Sequence, residues 1–275
     1  MRTQLLSQVI TGGVAAAVAA AVIAVPAVFA KHDNATQVAA PAAVCVYNWY
    51  LSNNRASGTA TIPAFAYGNT PMIPLAGNWD GVGGDTSGAY SPDEHKFFLS
   101  NNFNGGVGEV TIALGSTGDR PVVGDWNGDG VDEVGVYTPA TGTFTKRAAD
   151  GTATTLAYGD PYLTPVVGDW NGDGTDDVGV YRAANATFDL RLADGSTRSL
   201  VYGDPYWKPL VGDWNGDGRD EPGLYNPANA TFYFRVSGID PTETTEKIRY
   251  GDTGDRPLVG DWDGNRTSSQ GIVRS

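Results

Sequence analysis

Gly124-Asp-Trp-Asn-Gly-Asp-Gly-Val-Asp-Glu-Val-Gly-Val-Tyr137 is the stretch whose reading decides the fold. It returns as Gly168–Tyr181 (GDWNGDGTDDVGVY) and Gly212–Tyr225 (GDWNGDGRDEPGLY), and in degraded form as Gly77–Tyr90 (GNWDGVGGDTSGAY) and Gly260–Val273 (GDWDGNRTSSQGIV). A run that recurs five times marks an array of one supersecondary unit, so its period comes first. Trp79, Trp126, Trp170, Trp214 and Trp262 are 47, 44, 44 and 48 residues apart. Gly68, Gly115, Gly159, Gly203 and Gly251, each closing a strand-like run, keep the same intervals.

Each unit reads as four short strands, A to D. In residues 121–159 strand A is Pro121–Trp126, B is Val134–Tyr137, C is Thr143–Ala149 and D is Thr152–Tyr158, with Asp150-Gly151 as a two-residue hairpin turn. The next two units copy the plan; the C–D turn is Asp194-Gly195 in one and the longer Gly238–Thr245 segment in the other. The ends set the architecture. Val44–Ser52 and Thr59–Tyr67 resemble C and D with no A and B before them, and Pro257–Trp262 and Gln270–Arg274 resemble A and B with nothing after. Four full units and two complementary halves predict an all-β, five-bladed β-propeller of four-stranded blades over about residues 44–275, closed by pairing of the N-terminal C–D and C-terminal A–B hairpins. A β-solenoid is the alternative, but it has no use for split ends.

The formal net charge of −13 is local: 12 of the 31 carboxylates sit in three nine-residue loops. A balance this acidic argues against nucleic-acid binding, which wants a basic face. Numbered from Asp125, the loop has oxygen-bearing side chains at positions 1, 3 and 5, Gly at 6, a backbone carbonyl available at 7 and an acid at 9. The candidate metal ligands are therefore Asp125, Asn127, Asp129, Val131 and Glu133; Asp169, Asn171, Asp173, Thr175 and Asp177; and Asp213, Asn215, Asp217, Arg219 and Glu221. Hard oxygens in a flexible loop suit Ca²⁺, about three ions in all; Mg²⁺ prefers a tighter octahedron, and the lack of Cys and His in the loop argues against zinc and copper. Val136 stands where an EF-hand needs its bidentate Glu, and strands flank the loop. Bare turn-making explains Asn-Gly and Asp-Gly but not four carboxylates in nine residues. The degraded copies, with Val82 and Thr86 or Asn265, Arg266 and Ser269 at the ligand and glycine positions, are assigned no metal.

The pattern D-x-N-x-D-G-x-x-[DE] between two strands resembles FG-GAP and VCBS-type repeats, as in the integrin α-subunit propeller. The resemblance covers nearly all of residues 67–275 and implies Ca²⁺ in the A–B hairpins of successive blades. The repeats here are shorter, five blades stand in place of seven, and the literal Phe-Gly…Gly-Ala-Pro signature is absent.

Residues 1–30 hold Arg2 and an uncharged run from Val9 to Ala30 ending Val-Phe-Ala, the pattern of a secretory signal cleaved after Ala30. The rival is an uncleaved anchor, since 22 apolar residues can span a bilayer, and only then is a membrane a partner. Residues 31–43 read as a flexible linker. The repeated Trp is read as blade packing, and Gly135, Gly179 and Gly223 as sites of close backbone approach near the ring centre. Cys45, the lone cysteine, excludes an intrachain disulfide and reads as a small buried hydrophobe. The only histidines are His32 and His95, and no nucleophile elbow, zincin helix or phosphate loop occurs, so no catalytic residue is assigned. On the face away from the loops, Tyr162, Tyr206 and Trp207 are candidate ligand-binding aromatics; connector packing is the competing explanation. The expected function is a secreted or cell-surface calcium-binding adhesion module for a glycan or protein. The alternatives are an extracellular carbohydrate-active hydrolase or lyase and a structural surface-layer component.

Overall fold

Short β-rich runs bounded by glycine fold here as antiparallel blades. The computed structural model describes residues 46–275 except 107 and 238–243; the expected signal and linker lie outside the described residues. Blade 1 is β3 (Ile73–Gly77), β4 (Thr86–Ser91), β5 (Lys96–Leu99) and β6 (Val110–Ala113). Blade 2 is β7 (Arg120–Gly124), β8 (Glu133–Thr138), β9 (Thr143–Arg147) and β10 (Ala153–Ala157). Blade 3 is β11 (Thr164–Gly168), β12 (Asp177–Arg182), β13 (Thr187–Arg191) and β14 (Thr197–Val201). Blade 4 is β15 (Lys208–Gly212), β16 (Glu221–Asn226), β17 (Thr231–Arg235) and β18 (Thr245–Arg249). Blade 5 runs in the order β19 (Arg256–Gly260), β20 (Ser269–Arg274), β1 (Val46–Leu51), β2 (Phe65–Asn69). The inner strands touch in cyclic order β3, β7, β11, β15, β19 and back to β3, so the chain is a closed five-bladed β-propeller.

Closure is a strand pairing of first on last: Asn48, Trp49, Tyr50 and Leu51 face Arg274, Val273, Ile272 and Gly271. The Gln270 amide adds hydrogen bonds to the Asn54 and Ala56 carbonyls. Two details differ from the expected strands. β2 starts at Phe65, because residues 52–64 form an irregular excursion rather than the first half of strand D. The Asp150-Gly151 turn is a three-residue loop: Ala148 pairs with Thr152, the Gly151 N–H donates back to the Ala148 carbonyl, and Gly151 takes the positive φ of 89°. That is a type I turn followed by a left-handed glycine, a common three-residue hairpin connection.

Burial follows strand rank. β8, β12 and β16 are buried along nearly their whole length, whereas β10 and the alternate residues of β14 are exposed and rich in Thr, which keeps the outer edges polar. Cross-strand Tyr–Phe pairs repeat at the same register in four blades: Tyr90–Phe97, Tyr137–Phe144, Tyr181–Phe188 and Tyr225–Phe232, with centroids 4.6–4.9 Å apart. Each adds about 0.5–1.5 kcal/mol beyond burial. Pro74, Pro121, Pro165, Pro209 and Pro257 are second in the inner strands. An inner-edge strand has no further neighbour to bond, so the missing N–H is tolerated there and the prolines line an axial channel of about 250 Å³.

The repeated Trp, expected to pack between blades, wedges into its own blade, and the flanking glycines show why. Trp126 folds over its own blade: a Cβ on Gly124 would lie 2.8 Å from the indole, and one on Gly135 3.4 Å from it. The same wedge recurs at Trp214 between Gly212 and Gly223, and at Trp262 between Gly260 and Gly271.

Candidate metal centre

The A–B hairpins are shaped by their position-1 carboxylate. In blade 2 Asp125 Oδ1 accepts the N–H groups of Asn127, Gly128 and Asp129 (3.2, 2.7 and 3.2 Å), and Oδ2 accepts that of Gly130 (2.7 Å). Asp169 and Asp213 do the same in blades 3 and 4. Such a curl requires left-handed backbone, and Gly128 and Gly130 supply it with φ of 78° and 84°. Position 1 therefore has a structural role of its own, which the sequence reading had credited to the ion.

Positions 3, 5 and 9 come together inside the curl. The Asn215 amide nitrogen lies 3.1 Å from Asp217 Oδ2 and 2.9 Å from Glu221 Oε1, donating to both carboxylates at once. Asn127 donates to Glu133 Oε1 at 2.8 Å, and Asn171 to Asp173 Oδ2 at 3.0 Å. Glu133 and Glu221 are buried. Burial pushes the Glu221 carboxyl up to about 8, opposed by its bond from the Trp214 N–H and reinforced by Asp217 and Asp213. Glu133 is raised for the same reasons, with Asp129 and Asp125 as the repelling neighbours. At position 7 the N–H groups of Val131, Thr175 and Arg219 donate to the position-5 carboxylate at 2.9–3.0 Å. Among the described residues no group of three or more His, Cys, Asp or Glu side chains stands at metal-holding spacing. The amide at position 3 occupies the middle of the curl. The donor set nevertheless fits a hard cation: the loop side chains offer oxygens and carboxylates that repel one another.

Position 8 is the residue that sequence reasoning missed. Asp176 Oδ2 accepts the N–H of Asp125 in the preceding blade at 2.9 Å, while the Asp176 N–H returns a bond to the Asp125 carbonyl at 2.8 Å. Asp132 clasps Asn78, Asp220 clasps Asp169 and Asp85 clasps Asp261 in the same two-bond way. Ser268 completes the ring with the backbone bond to Asp213 alone. These are bonds between blades, not metal ligands. The four carboxyls are half-buried by exposed area yet closely surrounded, and burial followed by repulsion from neighbouring acids raises all of them: Asp132, facing Asp125 and Glu133, to about 6, Asp220, facing Asp213 and Asp169, to about 7, Asp85 and Asp176 well above the usual range. The signal was available. Asp85 is the acid that survives in the degraded blade 1 loop where the position-5 and position-9 acids are lost.

On the opposite face the candidate aromatics divide. Tyr162 and Tyr206 are each 74% exposed and hold left-handed backbone, φ of 67° and 66°. Trp207 is half-buried and packs on Tyr233 with centroids 4.4 Å apart, so its ring belongs to the connector core. The face also carries the wider mouth of the axial channel, a pocket of about 610 Å³ lined by Tyr181, Tyr206, Lys208 and Arg256 among others.

No family model matches the chain, and no curated protein matches it. Among solved structures the chain is similar to BBS1N in complex with ARL6DN (11% identity, 84% of this chain and 77% of that one, TM-score 0.41). It is also similar to virginiamycin B lyase from Staphylococcus aureus (10%, 84% and 80%, TM-score 0.42) and to a streptogramin B lyase (9%, 78% and 69%, TM-score 0.41).

Proposed function

We propose that the protein is an exported propeller of the FG-GAP/VCBS kind, stabilised by calcium in blades 2, 3 and 4, that serves as a binding or adhesion module for an extracellular glycan or protein. The observation that carries the calcium reading is the Asn215 amide held between the carboxylates of Asp217 and Glu221, with its counterparts at Asn127 and Asn171. A cation bound there would be held by the side-chain oxygens of positions 1, 3, 5 and 9 and the position-7 carbonyl, and would neutralise acids that otherwise repel one another. The ion supplies charge neutralisation and loop rigidity. The chain's own residues set the curl, through position 1, and join it to the next blade, through position 8.

Binding to the folded state alone adds about 2.7 kcal/mol per site at free Ca²⁺ near 100 times Kd. The test is thermal unfolding in millimolar Ca²⁺ and in chelator. The midpoint is expected to rise with Ca²⁺, and a variant carrying Asp129→Asn, Asp173→Asn and Asp217→Asn should lose that rise while keeping its unfolding transition. A wild-type midpoint indifferent to chelator would end the calcium reading.

A further inference from the structure

The mouth of the axial channel on the connector face gathers positive charge in a chain whose net charge is strongly negative. Lys208 and Arg256, each the residue before an inner-strand proline, line it together with Ile73 and Thr164 at the same place in their strands. Lys208 and Arg256, on neighbouring blades, have no carboxylate partner among the described residues. Arg256 is held in place without neutralisation, by a 3.2 Å bond to the Met72 carbonyl and by stacking 4.8 Å from the Tyr47 ring. Lys208 stands 5.9 Å from the Tyr225 ring centroid, and its ammonium is pushed below its usual value by burial and then by Arg256. Two like charges in one half-enclosed pocket are unfavourable unless an anion joins them.

One further feature points to a ligand. Tyr206 stands at the rim in left-handed backbone, at the place that Gly118 and Gly254 fill in blades 2 and 5 with φ of 90° and 98°. A backbone that glycine adopts freely is strained for Tyr, and the ring it displays is largely solvent-exposed rather than packed. A flat exposed aromatic beside cations without a carboxylate partner is the equipment for a sugar ring that bears a carboxylate. The aromatic face takes the C–H face of the pyranose, and the cations take the acid.

The geometry points to a binding site for an acidic saccharide of the uronate class at this mouth, with Lys208 and Arg256 holding the carboxylate and Tyr206 stacking on the ring. This rests on the glycan reading above and narrows it. A pocket of about 610 Å³ is of ligand size and admits one or two sugar rings.

The test is calorimetry of the protein in Ca²⁺ against oligogalacturonate, its fully methyl-esterified form, a neutral gluco-oligosaccharide of equal length and a glutamate-rich peptide. Oligogalacturonate is expected to bind at least about tenfold more tightly than its ester. Lys208→Met with Arg256→Met should abolish that preference, Tyr206→Ala should weaken binding about tenfold, and Tyr206→Phe should retain it. Lys208→Arg, which keeps the charge, is expected to bind and guards against loss through misfolding, with the melting midpoint as the folding control. Equal binding of acid and ester overturns the uronate assignment and leaves glycan binding standing. Binding of the peptide without any saccharide overturns the saccharide class, and binding of no probe overturns the site.

Discussion

Three hairpins of this ring keep their acids and two have lost them, yet all five have one shape. In blade 5 Asp261 still accepts the N–H groups of Asn265 and Arg266 (3.0 and 2.7 Å), and Arg266 adopts φ of 66° where the intact loops use glycine. Position 9 there is Ser269, whose hydroxyl turns back to the Gly260 carbonyl, as Thr86 turns to Gly77 in blade 1. The fold of the hairpin thus rests on left-handed backbone at positions 4 and 6 and on the Trp wedged between glycines, because in blade 1 the position-1 residue is Asn78 and its side-chain oxygen accepts no bond from the loop. Positions 3, 5 and 9 are free to vary without loss of the curl, so their retention in blades 2, 3 and 4 is a requirement of something other than shape. The intact loops also differ among themselves. Lys146 of β9, where the other blades carry Leu190, Phe234 or Leu99, stands 4.4 Å over Trp126, donates to the Asp176 carbonyl and offsets the charge of Asp177. Lys146 of blade 2 is thus a protein cation set beside the acids of blade 3, and Arg219 of the blade 4 loop leans over Gly172 of the blade 3 loop.

The largest expected effect tests the part that intact and degraded hairpins share. Trp214→Ala and Trp262→Ala each leave a cavity beside two glycines that cannot fill it, and each should cost about 3–5 kcal/mol. The two losses should match, with or without Ca²⁺. If removing Trp262 costs far less than removing Trp214 in chelator-treated protein, the degraded hairpin is not the same scaffold and the comparison collapses.

Much of that scaffold was legible in the sequence because it is written in residues with one structural use. Gly-Asp-Trp and the split terminal hairpins gave blade number and closure, since only a ring makes the first hairpin complete the last. The acids were legible as a cluster but not as individuals. Asp125, Asp129, Asp132 and Glu133 have the same chemistry, and spacing along the chain does not reveal that Asp132 reaches across to the preceding blade while Glu133 turns inward. Residues 59–64 of the excursion were read as the start of strand D because their Thr and Ala residues suit either state, and neighbours decide between them.

A middle-sized effect follows from charge. Asp220 is raised from 3.8 to about 7 and Glu221 from 4.5 to about 8 by burial. Folded values above unfolded ones mean that the native state holds the extra protons. The stability from these groups is complete below pH about 4 and is lost as pH rises through 7 to 8. In chelator the midpoint should fall by on the order of 5 °C between pH 5.5 and 8. In saturating Ca²⁺ the slope should flatten or reverse, because the ion competes with protons for the same oxygens. Parallel slopes in the two conditions would mean that the ion does not meet these carboxylates.

The smallest effect concerns the one place where the inter-blade ring lacks its acid. Ser268 sits against Gly212 as Asp220 sits against Gly168, so aspartate fits sterically, and Asp213 is the position-1 N–H in the ring that no position-8 side chain accepts. Ser268→Asp supplies that acceptor, worth about 1 kcal/mol, but it also adds a fifth half-buried carboxyl beside acids that already raise one another. The balance turns on protonation. At pH 5 the new carboxyl is expected to be largely neutral and the variant to match the wild type or exceed it by about 2–4 °C. At pH 8 repulsion should prevail and the midpoint should drop by a similar amount. A shift of one sign at both pH values would show that the clasp acts by hydrogen bonding alone, and that the serine in the closing blade is not there to relieve charge.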